Sequence, residues 1–104
     1  MDLQFRVMRD GEPFERSDRV FVILEGQAIR SLVLDGRIRA VERVGAGRVV
    51  GMDAVLGEAR SIEWVVAQGP VSALCMRAAD AAKLLARAPA LAYAVAVEYY
   101  RRTR

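Results

Sequence analysis

The sequence predicts a mainly β chain, an antiparallel β-barrel or jelly roll over residues 1–77 followed by C-terminal helices over residues 78–104. Three observations carry this expectation. The hydrophobic period changes once, near residue 78, from short strand-length runs to an Ala- and Leu-rich helical composition. Asp35-Gly36 stands between two alternating apolar runs, and a type I′ hairpin turn needs positive φ at both of its central positions. A chain of 104 residues, 54% hydrophobic and 28% charged, suits one soluble globular domain that folds alone.

Taken in order, RVFVILEG (Arg19 to Gly26) is a β-branched and aromatic strand closed by glycine. QAIRSLVL and RIRAVERV form the hairpin arms around Asp35-Gly36. Ile29, Ser31 and Val33 share one face, and Arg37, Arg39 and Arg43 share a face of the partner, so the second arm is half exposed. Gly45-Ala46-Gly47 makes a turn, Arg48 to Val50 a short strand, and Trp64 to Ala67 another. Gln68-Gly69-Pro70 marks a further turn before VSALCM (Val71 to Met76), the last buried strand. From Ala78, AADAAKLLARAP is a helix that Pro89 ends or hands to the next. ALAYAVAVEYYRRTR then reads as a second helix of about four turns. Its portion Ala90 to Val97 is apolar nearly all round, whereas a surface helix needs only one apolar stripe. Two faces therefore require cover, which points to self-association; packing on its own barrel is the competing reading.

Composition excludes several chemistries. There is no histidine, hence no Ser-His-Asp or Cys-His nucleophile and no His-ligated metal. The single cysteine, Cys75, cannot form an internal disulfide and suits the core of its strand. No apolar run reaches the ~18–20 residues of a membrane span, and the first residues do not resemble a signal peptide, so a cytoplasmic protein is expected. The net charge of +3 is a weak pointer to an anionic partner. GAGRVVG has its third glycine one residue too late for a dinucleotide fingerprint. Glu12, Glu15, Glu25 and Glu42 show no spacing that pairs two carboxylates, so an enzyme is not expected.

The order of these pieces resembles the cyclic-nucleotide-binding domain, the β-roll of Crp/Fnr-type sensors. RDGEP (Arg9 to Pro13) resembles that family's early turn, VFVILEGQAIR its YxVLEGxVxV strand, GAGRVVG its PGDxFG turn, and LLARAPALAYAV the start of its dimer-forming helix. The resemblance implies a phosphate cassette, in which a glutamate holds the ribose 2′-OH, an arginine pairs with the cyclic phosphate, and backbone N–H groups of a short helix supply further donors. Aligned without gaps from Gly51 to Ala67, Met52 falls at the glutamate and Ser61 at the arginine; a one-residue shift restores Arg60-Ser61 as the Arg-Ser pair. Met52 accepts no useful hydrogen bond. Losing the charge-assisted bond costs about 1.5–3 kcal/mol, roughly ten- to a hundred-fold in affinity. VVGMDAV also resembles the LVGFDAI-like string of Fnr-type sensors, which do not bind cyclic nucleotide, and VSALCMR their cysteine-bearing strand. The N-terminal cysteines for an iron–sulfur cluster are absent.

The expected ligand-contact set is thus Gly51, Met52, Asp53, Ala54, Arg60 and Ser61, with Met52 as a wall or packing residue. Leu91, Ala94, Val95 and Tyr99 are the expected dimer contacts. No cofactor is expected; cyclic AMP or cyclic GMP is the ligand if the cassette works. The function expected is a non-enzymatic regulatory module that has lost or altered nucleotide binding and acts as a homodimer or on a partner protein. The alternative is a true receptor for a cyclic nucleotide or another small anion, built on Arg60 and the 51–56 turn. Trp64 is expected in the barrel core. No helix-turn-helix follows the last helix, and Arg101, Arg102 and Arg104 suit a helix C-terminus, so nucleic acid is not an expected partner.

Overall fold

The computed structural model describes residues 3–14, 18–52, 61–88 and 90. Among these residues the elements in order are β1 Gln4–Met8, β2 Arg19–Leu34, β3 Arg37–Val44, β4 Val49–Val50, β5 Ser61–Arg77 and α1 Ala78–Arg87. The strands form one antiparallel sheet in the order β1-β5-β2-β3, with β4 pairing β2 off that path. Mainly β architecture is what the periodicity predicts, and α1 begins at the residue where that periodicity changes.

Two expected turns prove to be bends inside long strands. β2 runs through Gly26 for 16 residues, and β5 runs through Gln68-Gly69-Pro70 for 17. The two strands pair along almost their whole length, with register breaks flanking Glu25. Gly26 has φ +94°, and a Cβ there would lie 2.3 Å from the Pro70 carbonyl oxygen. Only glycine allows the strands to cross so closely, which curls the ribbon without ending it. Glycine that reads as a stop signal in one dimension is a hinge of curvature in three.

The N-terminal segment is laced onto β5 beside this bend. The N–H groups of Gly11 and Phe14 donate to the carbonyls of Ala67 and Val65 at 2.8 Å each, and Gly69 N–H donates to Asp10 Oδ1 at 2.7 Å. The Asp35-Gly36 turn has φ of +53° and +77°, the signs a type I′ turn requires. A further turn at Gly45 to Gly47 closes onto β2, with Gly47 N–H donating to the Ile23 carbonyl at 2.8 Å.

Both halves of the curled ribbon feed the core, which includes Phe21, Ile23, Ala28, Val44, Val65, Val71 and Cys75. Phe14 and Phe21 meet edge to face, 5.1 Å between centroids. A smaller cluster of Val20, Met52, Met76 and Ala81 seats α1. Cys75 is buried as expected. Trp64 is not. It is 46% exposed on the outer face of β5, between the inward-facing Glu63 and Val65. Strand alternation forces this outcome: once Glu63 points inward, its neighbour must point out.

Candidate functional site

The expected ligand segment begins where β4 leaves the sheet. Gly51 has φ +92°, and a Cβ there would stand 2.4 Å from the Arg19 carbonyl oxygen, so glycine is the only residue that fits. Met52 is 4% exposed and packs with Val20, Met76 and Ala81, as a packing residue rather than a polar contact. Ser61 opens β5 opposite Leu34. The structure therefore places Gly51 and Met52 together at one end of the sheet. Asp53, Ala54 and Arg60 lie outside the described residues, as do the expected dimer contacts Leu91, Ala94, Val95 and Tyr99.

Beside Gly51 the barrel interior is charged, which sequence reasoning missed. Arg30, at the middle of the second half of β2, is only 2% exposed. Its Nε donates to Glu42 Oε1 at 2.8 Å, and its Nη2 donates to the same oxygen. Its Nη1 donates to the Val49 carbonyl at 3.2 Å and to Glu63 Oε2 at 3.4 Å. The Glu63 side chain is 3% exposed, and its other oxygen, Oε1, accepts from the Gly51 N–H at 3.0 Å. Arg48 Nη2 approaches Glu42 Oε1 at 3.5 Å, at the solvent edge of the group. Among the described residues, two cations thus meet two carboxylates.

Sheet register builds this group. Arg30 pairs directly with Glu42 across β2 and β3, while Leu32 pairs with Glu63 across β2 and β5. Arg30 and Glu63 are diagonal neighbours on the inward face, within reach of long side chains. One sequence signal points to Arg30, though not to its partners: an arginine on the same face of an alternating strand as Ala28 and Leu32, both of which are buried. A buried guanidinium requires a buried anion, since charges are retained inside only when paired and hydrogen-bonded. Glu42 shares Arg30 with Glu63.

Among the described residues no group of three or more His, Cys, Asp or Glu residues is arranged to hold a metal, and no helix is long and apolar enough to cross a membrane. The group can hold a strand end and a turn in place through charge-assisted bonds. It cannot offer the Gly51 N–H to an outside acceptor while Glu63 occupies it.

The same fold occurs in several solved structures. The catabolite activator protein of Thermus thermophilus superposes with a TM-score of 0.76 at 23% identity, covering 98% of this chain and 50% of that one. The regulatory domain of Toxoplasma gondii PKA, in co-crystal with cAMP, gives 0.73 at 23% identity, over 93% of this chain and 40% of that one. The regulatory subunit of a cAMP-independent protein kinase A from Trypanosoma brucei gives 0.73 at 21% identity, over 97% and 40%. The chain spans half of these proteins or less. No curated protein sequence matches it. The family model of the cyclic nucleotide-binding domain matches residues 6–88, from within β1 to just past α1, and the chain belongs to that family.

Proposed function

We propose that this chain is a non-enzymatic regulatory module of the cytoplasm that has lost ordinary cyclic AMP and cyclic GMP binding and works through association. The observation that carries the reading is Met52. It stands where the family's cassette has its ribose-binding glutamate, and its thioether is packed under α1 rather than turned to a ligand. A buried thioether offers a ribose hydroxyl neither charge nor a strong acceptor. The fold itself does not decide the matter, because it occurs both in a regulatory domain crystallised with cAMP and in the regulatory subunit of a cAMP-independent kinase.

The absence of histidine supports a role without catalysis. Association is proposed along the segment after Pro89, for which the sequence predicts a helix, with Leu91, Ala94, Val95 and Tyr99 at the seam of a homodimer or against a partner protein. Calorimetric titration with cyclic AMP and cyclic GMP is expected to give no binding in the micromolar range, and native mass spectrometry is expected to show a dimer. Micromolar binding of either nucleotide overturns the loss of binding; a monomer at every accessible concentration overturns the homodimer.

A further inference from the structure

We infer that Glu63 is a built-in anion: its carboxylate takes the Gly51 N–H and neutralises the buried Arg30, closing the cassette entrance to an anion from outside. The inference rests on the reading above that the cassette begins at Gly51, and it supplies a physical reason for lost binding beyond Met52.

Each part of the argument is geometric. A phosphate at a cassette needs backbone N–H donors and a cation. The Gly51 N–H, at the start of this segment, already donates to Glu63 Oε1 at 3.0 Å. Arg30 is the cation buried beside it, and its guanidinium is already divided among Glu42, Glu63 and the Val49 carbonyl. The Val49 contact binds Arg30 to β4 itself, the strand that delivers Gly51. Arg30 therefore reaches the segment from both sides, directly through Val49 and through Glu63 to Gly51. An incoming phosphate would have to displace a carboxylate that is 3% exposed, and to do so next to its charge. Like charges in a buried space repel strongly, so the exchange is unfavourable.

The arrangement also explains why Glu63 is tolerated inside. Its two oxygens have separate tasks, Oε1 on the turn and Oε2 on Arg30, and neither is left without a donor.

The test follows the Gly51 amide by NMR, in the unmodified protein and in E63Q, with inorganic phosphate and cyclic AMP as probes. In the unmodified protein the Gly51 amide is expected to exchange slowly with solvent and to stay in place on addition of either probe. E63Q removes the negative charge and leaves Gly51 only a neutral amide oxygen, a weaker acceptor that an incoming phosphate can displace. Its Gly51 resonance is expected to move saturably with phosphate, at an affinity at least about tenfold above that of the parent, the effect of removing one close like charge. Where E63Q does not fold cooperatively, E63A serves, since Arg30 keeps its Glu42 partner. A Gly51 amide that exchanges in the parent as fast as an exposed one overturns the inference without any variant. A folded variant whose Gly51 resonance ignores phosphate as the parent's does overturns it as well. Failure of the functional reading looks different: cyclic AMP would bind the parent in the calorimeter while the Gly51 amide remained protected.

Discussion

The two halves of β2 solve the same burial problem in opposite ways. Before Gly26 the strand buries Phe21 and Ile23 against Val71, Ala73 and Cys75, an interior without charge. After it, the same strand buries Arg30 between Ala28 and Leu32, against Glu63 and Glu42. The first half is stabilised by area removed from water, which tolerates exchange among apolar residues of similar volume. The second is held by matched charges centred on Arg30, whose removal leaves the buried Glu63 without its guanidinium partner. The difference teaches where the molecule keeps specific information. Apolar packing sets the ribbon, and the charged group sets where β4 and Gly51 stand relative to it.

Breaking the charged half should give the largest effect. Arg30→Ala leaves Glu63 buried without its guanidinium, and denaturant unfolding is expected to show a loss of about 3–5 kcal/mol. A loss below about 1 kcal/mol, the range of exposed pairs, would mean that the group is solvated and the contrast with the apolar half false. Replacing both members together, R30M with E63L, sharpens the point. The pair is expected to unfold near the stability of the parent or above it, because a well-packed apolar pair removes both charges at once.

A probe of the apolar half comes next. Ile23→Val trims one methylene from a residue that is 1% exposed, with an expected loss of about 0.5–1.5 kcal/mol and an unchanged denaturant slope. Its effect should add to that of Arg30→Ala, since the two belong to separate groups. The smallest change is expected from Glu42→Gln, because the Glu42 side chain is 39% exposed and its pairing with Arg30 is shared with solvent. About 0–1 kcal/mol is expected, falling further in high salt. A larger loss from Glu42 than from Arg30 would reverse the assignment of which charge anchors the group.

Much of the fold follows from local sequence alone. Alternation in RVFVILEG and QAIRSLVL, the Asp35-Gly36 turn, and the switch at Ala78 are each determined by propensities acting over a few residues, and all three are present. The order of the pieces also sufficed to point to the cyclic nucleotide-binding family, which matches residues 6–88. Gly26 and Gln68-Gly69-Pro70 misled because a backbone with positive φ can end a strand or bend it, and only the facing strand decides which.

The charged group was decided by tertiary structure. From the Leu34–Arg37 pairing, an unbroken hairpin would set Arg30 opposite Val41; the register shift between Leu32 and Val33 sets it opposite Glu42 instead. Glu63 lies 33 residues away and arrives only when β5 pairs with β2. Local preferences specify strands, turns and the helix, because those depend on neighbours along the chain. Which carboxylates meet Arg30 depends on a one-residue slip and a long-range pairing, and neither is written in any short stretch of residues.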